Sequence, residues 1–174
     1  MPGHEYCSAY DEAGRWFLSG AAVFLNDRDP CRLEYLIECK PDWETLAARV
    51  SGWVGDRAID IELKVESDGR WLLNGMDQPA VNSCTDVDLN FSPSTNLLPI
   101  RRLKLSIGQQ APVSAAWLRF PTFKLERLDQ FYRRLDETTY QYESDSGKFV
   151  AELKVNEFGL VTRYLDLWEA ETSP

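Results

Sequence analysis

Ile59-Asp60-Ile61-Glu62-Leu63-Lys64-Val65-Glu66 decides the fold class. Its strict period of two sends four aliphatic side chains to one face and four charged ones to the other, the pattern of a strand with one wet side. Asp68-Gly69 is a turn signal, Arg70 to Leu73 begins a returning strand, and Asn74-Gly75 marks a second tight turn. The same alternation recurs at Leu103, Leu105 and Ile107, and again at Phe149, Ala151, Leu153 and Val155. A turn at 156–159 and a last strand at 160–164 follow, and residues 35–40, 44–54 and 115–120 also read as strands. Gly14-Arg15-Trp16-Phe17-Leu18 is echoed by Gly69-Arg70-Trp71-Leu72-Leu73, best read as one hairpin solution used twice. The chain is predicted to be mainly β.

Two segments depart from this period. In 125–140, Leu125, Leu128, Tyr132 and Leu135 fit a helical face, but Thr138, Thr139, Tyr140 and Tyr142 favour strands, and strands are expected. In 96–105, Thr95 or Asn96 can cap a helix and Pro99 fits its first turn, with Leu97, Ile100 and Leu103 on one face. A short apolar helix between strands is predicted there. No interdomain linker is visible, so a single domain over 1–168 with a loose tail at 169–174 is expected.

Composition narrows the function classes. The 174 residues carry a net charge of −9 and include six Trp, seven Tyr and eight Phe, ample material for one core. The most apolar stretch, 17–25, is interrupted by Ser19 and Gly20 and is too short to span a bilayer. The first residues are acidic rather than basic, which predicts a cytoplasmic protein. Cys7, Cys31, Cys39 and Cys84 show no close pairing, and His4 is the one histidine, placed in what should be a frayed terminus. Zinc and nucleophile–histidine chemistry lack their residues; no metal, no cofactor and no enzymatic activity are expected, and the thiols should be reduced.

Charge is unevenly distributed. Residues 101–134 hold eight basic and two acidic side chains, a local +6 that leaves −15 on the rest of the chain. Trp117, Phe120, Phe123, Phe131 and Tyr132 are interleaved. The leading reading is internal compensation, with basic strands beside acidic ones such as 58–66. An anion site of guanidinium forks comes second, and single-stranded nucleic acid last, because overall acidity opposes phosphate binding.

The most unusual segment is Ser83-Cys84-Thr85-Asp86-Val87-Asp88-Leu89, continuing to Leu103. On a strand Asp86 and Asp88 share a face. They could pair with Arg101 and Arg102 as a structural network, contact a ligand, or act as an acid/base pair.

Cys84-Thr85-Asp86-Val87-Asp88-Leu89, with Ser92-Pro93, Thr95-Asn96 and Leu98-Pro99-Ile100-Arg101-Arg102-Leu103, closely resembles the signature of the bacterial "putative glycolipid-binding" protein family. Asp42-Trp43, Gly69-x-Trp71, Gln130-x-Tyr132, Gly159-Leu160-Val161, Tyr164 and Trp168 are further marks. The resemblance implies a spiral β-roll, a long antiparallel sheet wound around one short central helix at about 96–105, often dimeric and similar to lipoprotein-localisation factors that enclose acyl chains. Ser83 stands where the family has Gly, Ser94 where it has an aromatic, Leu97 where it has Thr, and Leu165 where it has Pro. The resulting expectation is a non-enzymatic binding protein for a glycolipid or other amphiphile, with Asp86, Asp88, Asn96, Arg101, Arg102, Trp117 and Tyr132 as candidate contacts. A dimeric interaction module is the alternative, and a hydrolase using Asp86 and Asp88 the third.

Overall fold

A computed structural model describes residues 2–165 and 167–171. About 60% of the chain is strand and 10% helical, arranged as two curled sheets that form a half-barrel with one short helix. The first sheet is a seven-stranded antiparallel meander in chain order: β1 (Gly3–Glu12), β2 (Arg15–Asn26), β3 (Asp29–Cys39), β4 (Thr45–Val54), β5 (Arg57–Val65), β6 (Trp71–Leu73) and β7 (Met76–Asp77). The second holds β8 (Asp86–Leu89), β9 (Gln110–Arg119), β10 (Lys124–Arg134), β11 (Thr139–Ser144), β12 (Phe149–Val155), β13 (Val161–Tyr164) and β14 (Trp168–Glu169). The expected roll is thus wound from two sheets, and β8 pairs with β9 in parallel.

Local chemistry explains the elements. In β5 Ile59, Ile61 and Leu63 are buried while Asp60, Glu62 and Lys64 face solvent. Asn74 and Gly75 both take positive φ, the geometry of a two-residue hairpin joining Leu73 to Met76. A parallel pair cannot be joined by a tight turn, and the β8–β9 crossover contains the helix. A 3-10 turn, Pro93–Asn96, runs into α1 (Leu97–Leu103). The Ser92 hydroxyl caps that turn by accepting from the Ser94 N–H at 3.2 Å, so the expected cap at Thr95 or Asn96 is corrected: Asn96 is itself helical. Pro99 sits in the first turn of α1, where its missing N–H costs nothing. Ser83 takes the left-handed conformation that glycine adopts most easily.

Burial explains the apolar helix. Leu97 and Leu98 belong to the core between the first sheet and the faces of Val87, Leu89, Ala116 and Leu118. Ile100 packs with Tyr132, Tyr140, Tyr142 and Leu153 in a second core lined by the second sheet. One helix therefore plugs two cores. At the seam the Thr45 N–H donates to the Thr85 carbonyl and the Val87 N–H to the Thr45 hydroxyl, each at 3.0 Å.

Some expectations are corrected. Leu103, Leu105 and Ile107 do not form a strand: α1 runs through Leu103, Lys104 turns left-handed, and Ile107 is exposed. His4 is not frayed but lies in β1 opposite Val23. Residues 125–134 and 139–140 are strands, as expected, with a turn at 135–138 between them, because Leu125 faces one core and Tyr132 the other, a division that one helical face would not make. Of the expected tail, 172–174 lie outside the described residues, while the Ala170 N–H donates to the Thr162 carbonyl at 2.8 Å. All four cysteines are free.

Candidate functional site: a cavity between the sheets

A half-enclosed cavity of about 1600 Å³ opens between β1–β2, the segment leading into α1, and the inner face of the second sheet. Its apolar wall includes Phe24, Phe91, Trp117, Phe149, Tyr164 and Trp168. Its polar wall includes Glu5, Asp88, Ser92, Asn96, Tyr142 and Ser144.

The period of two in β8 decides how the two aspartates part company. Val87 and Leu89 enter the first core, so Asp86 and Asp88 face the other way. Asp86, 1% exposed, meets α1: Arg102 Nε donates to its Oδ1 at 3.1 Å and Arg102 Nη2 to its Oδ2, with the Thr85 hydroxyl adding a third bond at 3.0 Å. Burial pushes the Asp86 carboxyl above the usual range, and the guanidinium fork opposes that shift. Asp88, one pleat further on, passes the helix and reaches the cavity. Gln130 Nε2 donates to its Oδ2 at 2.6 Å, and burial against a neutral partner raises its carboxyl to about 6.

Glu5 enters from the opposite wall. The Tyr35 and Ser92 hydroxyls both donate to its Oε1 at 2.5 Å, and Ser94 lies behind them, 2.8 Å from the Tyr35 hydroxyl and 2.6 Å from that of Ser92. Burial raises the Glu5 carboxyl; the two hydroxyls act against the rise. Tyr35 reaches Glu5 only by lying across Gly20, where an added Cβ would stand 2.3 Å from the phenol oxygen. Gly20→Ala is therefore expected to cost about 1–3 kcal/mol of stability, measured by urea unfolding, by forcing Tyr35 off its partners.

The remaining candidates divide. Asn96 lines the cavity, donates to the Pro93 carbonyl at 2.9 Å, and accepts from the Tyr132 hydroxyl at 2.7 Å. Tyr132 itself is fully buried behind that wall. Trp117 lies beside Asp88 in the β8–β9 register, with the Arg119 guanidinium 5.3 Å from its ring centre. Arg101 turns away from the aspartates and packs on the rings of Phe158 and Trp43, at 4.8 and 5.6 Å. The structure thus brings Asp88, Asn96 and Trp117 onto one wall, places Tyr132 behind it, and leaves Asp86, Arg101 and Arg102 outside the lining.

The basic stretch is compensated only in part, through Arg102 on Asp86, and not by β5. Arg119 pairs with Glu126 at 3.5 Å and Arg127 with Asp129 at 2.9 Å, both within the stretch, and Arg134 donates to the Leu105, Asp136 and Glu137 carbonyls. Strand β5 pairs with β4 and β6, and its Asp60 meets Arg49 instead. Sequence reasoning missed Glu5, because a residue next to an expected frayed end carries no signal that it will turn inward. Among the described residues no helix is long and apolar enough to cross a membrane.

Fold and site together define a two-sheet β half-barrel with an aromatic, carboxylate-bearing cavity of small-molecule size. The chain belongs to the family described as "Putative glycolipid-binding", whose model matches residues 1–170. It is also similar to a crystal structure of a DUF1089 family protein from Pseudomonas aeruginosa, at 30% identity and a TM-score of 0.83, covering 98% of this chain and 94% of that one. No curated protein matches.

Proposed function

We propose that this chain is a non-enzymatic binding protein that holds a glycolipid-like amphiphile in the cavity between its sheets. The observation that carries the reading is the mixed wall. Trp117, Tyr164 and Trp168 offer faces for a sugar ring or the start of an acyl chain, while Asp88, Glu5 and Asn96 supply hydrogen-bonding groups. Asp86 is engaged by Arg102 and lies off the wall, which weighs against a hydrolase built on Asp86 and Asp88. Three buried free thiols fit a reducing compartment, and a cytoplasmic location goes with the proposal.

Native mass spectrometry of protein purified without detergent, followed by lipid extraction, tests the proposal. A co-purified amphiphile at fixed stoichiometry is the expected result. Trp117→Ala should weaken binding of dodecyl maltoside about tenfold, or roughly 1.4 kcal/mol, by calorimetry. Unchanged affinity would remove Trp117 from the site. The second reading, an interaction module, draws on Tyr6, Val23 and Leu36, exposed together on the outer face of the first sheet. A stable dimer with no ligand in the same spectra would favour it.

A further inference from the structure

Resting on the proposal above, the charge of the cavity wall narrows the ligand class. Among the carboxylates of the lining, which also include Asp145, Glu169 and Glu171, Glu5 on β1 and Asp88 on β8 come from opposite sheets. Each uses one oxygen for protein contacts: Glu5 Oε1 takes the Tyr35 and Ser92 hydroxyls, and Asp88 Oδ2 takes the Gln130 amide. Among the described residues the other oxygen of Glu5 and of Asp88 accepts no protein hydrogen bond, and both residues line the cavity.

The cations of the wall do not offset them. Arg119 is held by Glu126 and stacks on Trp117, Arg127 is held by Asp129 and by the Ser114 hydroxyl at 2.8 Å, and His4 meets Glu171 at the rim. Arg101 and Arg102, the paired arginines of α1, are turned out of the lining. An ionised carboxylate only accepts hydrogen bonds, so its natural partner is a group rich in donors. A phosphate or sulfate head would bring a second negative charge against Glu5 and Asp88 in a half-dry space where the repulsion is poorly screened. A sugar head brings hydroxyl donors and no charge.

We infer that the cavity selects an uncharged glycosyl or polyol head, whose hydroxyls donate to Asp88 and Glu5, and rejects anionic heads on the same acyl chain.

The test compares three twelve-carbon amphiphiles below their micellar concentrations on the intact protein at pH 8: dodecyl maltoside, dodecyl phosphate and dodecyltrimethylammonium. Tryptophan fluorescence and calorimetry give the affinities. Dodecyl maltoside is expected to bind at least tenfold more tightly than dodecyl phosphate, and Asp88→Asn to narrow that gap by a factor of about ten. Glu5→Gln, which keeps the hydrogen-bonding shape, should narrow it in the same direction and serves if Asp88→Asn does not fold. Equal or tighter binding of the phosphate, or tightest binding of the ammonium, overturns the neutral-head inference while leaving the amphiphile proposal standing. No binding of any of the three overturns the amphiphile proposal, and this inference with it. A gap that neither variant changes shows that the carboxylates do not select, and overturns the inference too.

Discussion

Asp86→Ala is expected to lower the stability of the fold by about 3–5 kcal/mol, a fall in Tm on the order of 10 °C for a chain of this size. The reason is what it leaves behind. Asp86 is 1% exposed and Arg102 has only 19% of its side chain in solvent, so deletion of the carboxylate strands a guanidinium between α1 and β8 with no counter-charge. The pair need not itself be a large source of stability, because both ions were taken out of water to form it and burial already pushes the Asp86 carboxyl upward. Asp86→Leu combined with Arg102→Met should therefore recover most of the loss, and denaturant unfolding of the single and double variants completes the cycle. A loss below 1 kcal/mol for Asp86→Ala would show that the ion pair does not hold α1 in place. Affinity for dodecyl maltoside should stay unchanged in the double variant, since the pair lies off the cavity wall.

Asp88→Asn is expected to do the opposite and stabilise the protein at neutral pH, by up to about 3 kcal/mol. Asp88 is half-buried, its hydrogen-bond partner is the neutral Gln130 amide, and the phenols of Tyr132, Tyr142 and Tyr164 lie close enough to feel its charge. Its carboxyl is raised to about 6, so between the ordinary carboxylate range and that value the folded state binds the extra proton. Stability attributable to Asp88 is thus fully present below pH 4 and declines as pH rises through 6, where the folded protein must hold an ionised carboxylate in a poor solvent. Removing the charge removes that decline. Unfolding curves at pH 5 and pH 8 should converge for Asp88→Asn relative to the wild type. A variant less stable than wild type at pH 8 would mean that the ionised form is well accommodated, contrary to this account. A residue that destabilises its own fold at working pH fits a binding role rather than a structural one.

The two aspartates are two residues apart on one strand and are expected to behave in opposite ways. Sequence patterning placed them on a shared face, and that was correct. Their fates diverge because Arg102 in the last turn of α1 meets Asp86, whereas Asp88 meets the neutral Gln130 amide and lines the cavity, a division that depends on how the β8–β9 crossover folds back. Arg101 and Arg102 were equally ambiguous: adjacent helical residues point about 100° apart, so one meets Asp86 and the other the rings of Trp43 and Phe158.

Local chemistry was legible wherever the period was strict. The alternation of 59–66 and of 149–155 and the Asn74-Gly75 hairpin follow from side-chain direction and turn geometry alone. The apolar helix with Pro99 in its first turn was equally readable, because the apolar run from Leu97 to Ile100 demands burial and a missing N–H is tolerated in a first turn. The alternation at Leu103 to Ile107 misled, since a helix end followed by a left-handed residue can mimic a period of two over so short a span.

The sequence by itself determined a mainly β single chain, the place of its helix and its family. These rest on local periodicity, turn residues and a long contiguous motif. Only the tertiary structure decided the cavity. Glu5, Asp88 and Trp117 come from distant parts of the chain, and neither which oxygen is left free nor which arginine is turned away is encoded in any one segment. Those outcomes depend on the curl of two sheets around one helix, a long-range packing solution that no local pattern specifies.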